Sequence, residues 1–120
     1  AVLQDRHQLL TGRMGSPGWV APEILKGLPY NEKVDVYSFG IIIWECLAGK
    51  RPYEGLTNDQ VMLAVAAGSR PAVPPDTDPA LERLMSSCWD QDPEQRPAFH
   101  EITTELQLLL QQALAAEAEL

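Results

Sequence analysis

Basic residues are scarce in this chain: nine Lys and Arg stand against 17 Asp and Glu, a net charge of −8 over 120 residues. They are scattered, and Lys50-Arg51 is the only adjacent pair. Nucleic acids and anionic membranes both demand clustered positive charge, so neither fits as a partner. Cysteine is equally sparse. Cys46 and Cys88 lack CxxC spacing, and neither His7 nor His100 stands at a ligand interval from them. This argues against a zinc site or a disulfide framework and for a reducing, cytoplasmic setting. No basic stretch followed by an apolar core opens the sequence, so a signal peptide is not expected. The longest apolar run, Phe39 to Leu47, is interrupted by Glu45 and reaches about half of the ~20 residues that span a bilayer. We therefore expect a soluble domain with no membrane segment in this region.

What is present is an ordinary globular composition, 45% apolar and 22% charged, in a length that suits one small domain. Residues 1–18 carry no clean period and hold Gly12, Gly15, Pro17 and Gly18, which reads as loop. Val20 to Leu25 fit a short helical turn broken at Gly27-Leu28-Pro29. Ile41-Ile42-Ile43 has the composition of a buried strand. Apolar residues at 36, 39, 40, 43, 44 and 47 nevertheless keep helical spacing over more than ten residues. The spacing and length predict a core helix over 34–48, packed on nearly every side and closed by Gly49. Thr57-Asn58-Asp59-Gln60 is a capping box that starts a helix through Val61 and Val65, ending at Gly68. Prolines 71, 74 and 75 keep residues 69–77 irregular. Asp78-Pro79 is a cap followed by proline at the first helical position, with Leu81, Leu84, Met85 and Cys88 on one face behind it. Asp92-Pro93 and Arg96-Pro97 mark a turn. A last helix from about Ala98 is expected to turn Phe99, Ile102, Leu106, Leu109, Leu110 and Ala113 inward, its tail from Gln111 reaching into solvent or fraying. Trp44, Trp89 and Phe99 read as core, and Cys46 and Cys88 as inert thiols on packed helices.

Gly15-Ser16-Pro17-Gly18-Trp19-Val20-Ala21-Pro22-Glu23, followed by Asp35-Val36-Tyr37-Ser38-Phe39-Gly40, resembles the end of a protein-kinase activation segment running into the central helix of the kinase C-terminal lobe. Pro52-Tyr53, Arg70-Pro71, Cys88-Trp89, Asp92-Pro93 and Arg96-Pro97-x-Phe99 then follow in the family's order. The resemblance covers residues ~11–110 and is greatest to the tyrosine-kinase-like branch. It implies an all-α fold, the lower part of a kinase C-terminal lobe with four main helices. The whole of 1–120 is then a partial kinase domain, with the activation-segment end at 1–25 and lobe helices across 34–118.

The resemblance also implies roles. Glu23 matches the glutamate that pairs with an arginine between the last two helices, here Arg96, and locks the segment to the lobe. Asp35 matches the aspartate that grips the catalytic-loop backbone, and a carboxylate there also suits the helix dipole. Gly15, Ser16, Pro17 and Trp19 would position substrate. Ser16 stands where members usually carry threonine, and Gly18 before Trp19 leans towards Ser/Thr acceptors. Thr11, then Ser16, are candidate phosphosites. The resemblance places catalytic and metal-binding residues, and hence ATP and Mg2+, before Ala1, so no catalytic residue or metal ligand is expected in 1–120. The expected parent transfers the ATP γ-phosphate to protein Ser/Thr, while this fragment alone binds no cofactor and is inactive. Its expected partners are a protein substrate and the N-lobe and catalytic loop of the same chain. The alternatives are a pseudokinase or scaffold that binds a protein without catalysis, and an autonomous helical adaptor.

Overall fold

The apolar spacing of residues 34–48 outweighs their strand-like isoleucines. In the computed structural model, which describes residues 17–119, Lys33–Ala48 form one helix of 16 residues. Gly49 ends it at φ 68°, a left-handed conformation that costs glycine little, and its N–H donates to the Glu45 carbonyl at 2.8 Å. In chain order the elements are a 3₁₀ turn Pro17–Trp19, α1 Pro22–Leu25, α2 Lys33–Ala48, α3 Asn58–Ala66, α4 Pro79–Cys88, a second 3₁₀ turn Pro93–Gln95, and α5 Phe99–Ala118. No strand occurs among the described residues. The all-α expectation with four main helices stands.

Two apolar clusters meet at α2. Tyr37, Ile41 and Trp44 pack with Val61 and Val65 of α3 and Met85 of α4, while Val36 packs with Leu84, Cys88 and Ile102 beneath α5. Each such buried aliphatic side chain contributes roughly 1.5–3 kcal/mol. The close approach of α2 to α4 requires Gly40. A Cβ there would lie 2.9 Å from the Cys88 Cβ and 3.3 Å from the Met85 carbonyl oxygen.

The remaining helices begin where the sequence marks them. Thr57 Oγ1 accepts from the Gln60 N–H at 3.2 Å, and Gln60 Oε1 accepts from the Thr57 N–H at 2.9 Å, a complete capping box. The Asp78 carboxylate accepts from the N–H groups of Ala80 and Leu81 at 2.8 and 3.1 Å. The irregular 69–77 segment is pinned to α2 by the Trp44 indole, whose N–H donates to the Ala72 carbonyl at 2.8 Å.

Three expectations are corrected. α5 turns only Ile102 fully inward, and Leu110 is 59% exposed, with Ala113 exposed as well. The reason is length: α5 has 20 residues, about 30 Å, and its partner α4 has 10, about 15 Å, so the helical period continues past anything it can pack on. Phe99 is half-exposed and meets the Phe39 ring edge-on at 5.8 Å instead of entering the core. Finally, α2 is not covered all round, because Ile42 and Cys46 on its outer side are exposed.

Gly40→Ala is expected to destabilise the folded domain by about 1–3 kcal/mol through overpacking against Cys88. An unchanged denaturation midpoint would refute the close contact. The two thiols should separate chemically. Burial pushes the Cys88 thiol up to about 11, whereas Cys46 faces solvent. Alkylation near pH 8 followed by peptide mass mapping should label Cys46 and spare Cys88 until denaturant is added. A raised folded-state pKa stabilises the protonated form. This contribution is full below the unfolded thiol's pKa and is lost as pH climbs towards 11.

Candidate functional site

Pro22 opens α1 with a preset φ, and the next residue, Glu23, turns into the protein instead of towards water. Its carboxylate receives a bidentate pair from Arg96, Nη1 to Oε2 at 2.7 Å and Nη2 to Oε1 at 2.9 Å, across 73 residues of sequence. Arg96 arrives there because Asp92 caps the Pro93–Gln95 turn, after which the backbone is extended. Its other donors are also placed: Nη1 to the Lys33 carbonyl at 3.0 Å and Nε to the Asp90 carbonyl at 2.9 Å. The Lys33 ammonium returns a bond to the Arg96 carbonyl. Both charges are out of water, the Arg96 side chain at 0% and that of Glu23 at 7% exposure. The sequence-predicted ion pair is therefore a buried lock between the segment end, the start of α2 and the turn before α5.

Sequence reasoning missed the aromatic floor of this lock. The guanidinium carbons of Arg96 and Arg70 lie 5.1 and 5.0 Å from the ring centroid of the fully buried Tyr37. Arg70 is itself fixed by the carbonyls of Trp89 at 3.0 Å and Ser69 at 2.7 Å. Burial holds the Tyr37 phenol well above its ordinary range, and the nearby Arg70 charge opposes that only in part. The hydroxyl makes no hydrogen bond of full geometry among the described residues, with the Tyr53 phenol as its polar neighbour. The available signal was Tyr37 within Asp-Val-Tyr-Ser-Phe-Gly and the isolated Arg70-Pro71, but nothing in their spacing brings them together.

The Pro17–Trp19 turn is held against α2 and α3. Pro17 is buried and Trp19 half-buried. Ser38 Oγ donates to the Trp19 carbonyl at 2.6 Å, with the Val34 carbonyl at 3.2 Å as its alternative acceptor. The Trp19 indole N–H donates to the Glu45 carboxylate, two turns further along the same side of the helix. Of the other predicted positions, Gly15, Ser16 and Thr11 lie outside the described residues. Asp35 sits half-buried in the first turn of α2. Together with Phe39, Ile42 and Cys46 it follows i, i+4, i+7, i+11 spacing, a face roughly opposite to Tyr37, Ile41 and Trp44. Structure thus brings Glu23 and Arg96 together and fastens the Trp19 turn to α2 through Ser38 and Glu45, while Asp35 lies on the face of α2 turned away from Tyr37.

Among the described residues no three His, Cys, Asp or Glu side chains gather as metal ligands, and no helix is long and apolar enough to cross a membrane. The arrangement can fix a short segment rigidly on a helical body.

The family model described as protein tyrosine and serine/threonine kinase matches residues 2–106. Among similar proteins, the Dictyostelium discoideum dual specificity protein kinase pyk3 is 50% identical over 95 residues, which are 78% of this chain and 7% of that protein. The Arabidopsis thaliana serine/threonine/tyrosine-protein kinase HT1 is 44% identical over 106 residues, 88% of this chain and 27% of its own length. The serine/threonine-protein kinase STY17 of the same plant is 39% identical over 113 residues, 93% of this chain and 20% of its own. The chain spans roughly a quarter or less of the relatives it matches.

Removing one partner of the buried pair, by Glu23→Gln or Arg96→Met, should cost about 3–5 kcal/mol, because the other charge is left stranded in the interior. The double variant should cost clearly less than the sum. Denaturant titrations of a full double-mutant cycle test this, and strictly additive losses would mean that the two residues act independently.

Proposed function

From the premise that the chain belongs to the protein tyrosine and serine/threonine kinase family, we propose that it is the substrate-side part of the C-terminal lobe of a longer kinase. That kinase transfers the γ-phosphoryl group of Mg-ATP to Ser and Thr hydroxyls of proteins. The observation that supports this best is the fastening of the Pro17–Trp19 turn. It is tied to α2 through Ser38 and Glu45, and to the helical body through the buried Glu23–Arg96 lock. Phosphoryl transfer depends on holding the acceptor in line and on charge stabilisation, so a rigid acceptor-side platform is what this half of the enzyme must supply.

In this reading Gly15, Ser16, Pro17 and Trp19 carry the acceptor peptide, and Asp35 anchors the catalytic loop. ATP and Mg2+ supply the transferable phosphoryl group and its charge neutralisation. The residues that hold them are proposed to lie outside the described part of the chain. A second acceptor class has one observation in its favour: two of the relatives bear names with dual or serine/threonine/tyrosine specificity. Tyrosine is therefore proposed as a minor acceptor beside Ser and Thr.

The test is to incubate the full-length protein with Mg-ATP and a peptide library containing Ser, Thr and Tyr, and to map the phosphorylated residues by mass spectrometry. Phosphoserine and phosphothreonine should dominate, and residues 1–120 alone should transfer nothing. Phosphotyrosine alone would overturn the acceptor assignment. A folded full-length protein that transfers no phosphate would replace the enzyme reading with a protein-binding pseudokinase.

A further inference from the structure

A recess of about 320 Å³ opens between the Trp19 turn and the loop that joins α2 to α3. Trp19, Arg51, Tyr53, Glu54 and Asn58 line it. Its walls are fixed. The Trp19 ring is held through its carbonyl by Ser38 and through its indole N–H by Glu45. Tyr53 has φ 56°, the only positive value outside glycine among the described residues, and its hydroxyl donates to the Ser69 carbonyl at 3.2 Å. A left-handed tyrosine is a strained conformation that persists only where its surroundings over-determine it. Here Pro52 before it is buried, and the phenol lies beside Tyr37.

The chemistry of the recess is set by Arg51. Its guanidinium lies 5.6 Å from the centroid of the Trp19 ring. An arginine whose guanidinium lies over a ring has N–H donors at its rim that can meet a planar anion. No carboxylate lies within ion-pair distance of Arg51 among the described residues. Glu45 is engaged by the indole, and Glu54, like Arg51 itself, stands exposed, where water screens both charges. Lys50 precedes Arg51, and the two form the only adjacent basic pair in a chain of net charge −8.

We propose that this recess is a specificity subsite for the acceptor peptide and that it takes an anionic side chain, carboxylate or phosphate, with Arg51 as the reading cation. The proposal rests on the kinase reading above and names the substrate class of that same surface. An acceptor peptide lying along the Trp19 turn brings a neighbouring side chain against the ring, and an anion there meets the Arg51 guanidinium over that ring.

The experiment uses the full-length kinase and a peptide set in which Asp, phosphoserine, Ala or Arg replaces one residue at a time on either side of the acceptor. At one position Asp, phosphoserine or both should lower KM about tenfold relative to Ala, the size of one charge-assisted hydrogen bond. A response to Asp alone identifies a carboxylate subsite and a response to phosphoserine alone a phosphate subsite, and each supports the proposal. Arg51→Gln should erase the ratio of Ala to acidic KM, Arg51→Lys should retain part of it, and Arg51→Glu should move the preference to the Arg peptide. A wild-type enzyme that phosphorylates the Ala peptide without acidic preference, or an Arg51→Gln enzyme that keeps it, overturns the subsite and leaves the kinase reading intact. A wild-type enzyme that phosphorylates nothing sinks both.

Discussion

A guanidinium taken almost wholly out of water must find acceptors for its N–H donors inside the protein, and Arg96, 2% exposed, does so by collecting distant pieces of chain. It reaches the Glu23 carboxylate in α1, the Lys33 carbonyl where α2 begins, and the Asp90 carbonyl after α4. Each acceptor lies on a different segment: a shift of the Lys33 or Asp90 carbonyl leaves a buried N–H unsatisfied, and a shift of Glu23 leaves a buried charge unpaired. The cost of such a vacancy, several kcal/mol, is a large share of the total stability of a small domain. Packing in the two apolar clusters supplies most of the favourable free energy. It is non-directional, however, and the arginine decides how the segments are oriented on one another.

Tyr37 extends this constraint into the core. Two guanidiniums approach its ring, and both belong to arginines whose donors are bound to backbone carbonyls, to Glu23 or, for Arg70 Nη2, to the Gln91 side-chain oxygen. The ring is thus a spacer between two rigid cations. That accounts for an aromatic ring on the buried face of α2, and burial keeps its phenol neutral. The opposite face of α2 is different in kind. Asp35, Phe39, Ile42 and Cys46 lie along it, the latter two exposed. On the proposed reading this is the face on which the catalytic loop rests, with Asp35 at its end.

Most of the fold was legible because its boundaries are chemical. Thr57 and Gln60, Asp78 and Pro79, and Gly49 each solve a local hydrogen-bonding or backbone problem that needs no tertiary partner, and the helices begin and end there. The Glu23–Arg96 pair was legible only by resemblance, since nothing local relates residues so far apart. Tyr37 with Arg70 was not legible at all, because the pairing is made by the path of the 69–77 segment. Leu110 and Ala113 were misjudged for a related reason: an apolar period records what a helix can bury, not how long its neighbour is. Arg51 gave no signal beyond its adjacency to Lys50, because what sets its chemistry is the Trp19 ring.

The Pro17–Trp19 turn is held at two points along a single helix, Ser38 and Glu45, seven residues and about 10 Å apart. A segment attached at one point can pivot, whereas attachment at two points on a rigid rod fixes its direction. α2 is a suitable rod because its inner face is buried in both clusters, so bending it would disturb the core on either side. The Arg96 lock then fixes the far end of the same segment at Glu23. The position and direction of the turn are therefore consequences of one helix and one buried arginine. A peptide bound against Trp19 would inherit that geometry, which is the contribution an acceptor-side platform can make to phosphoryl transfer without supplying any catalytic group itself.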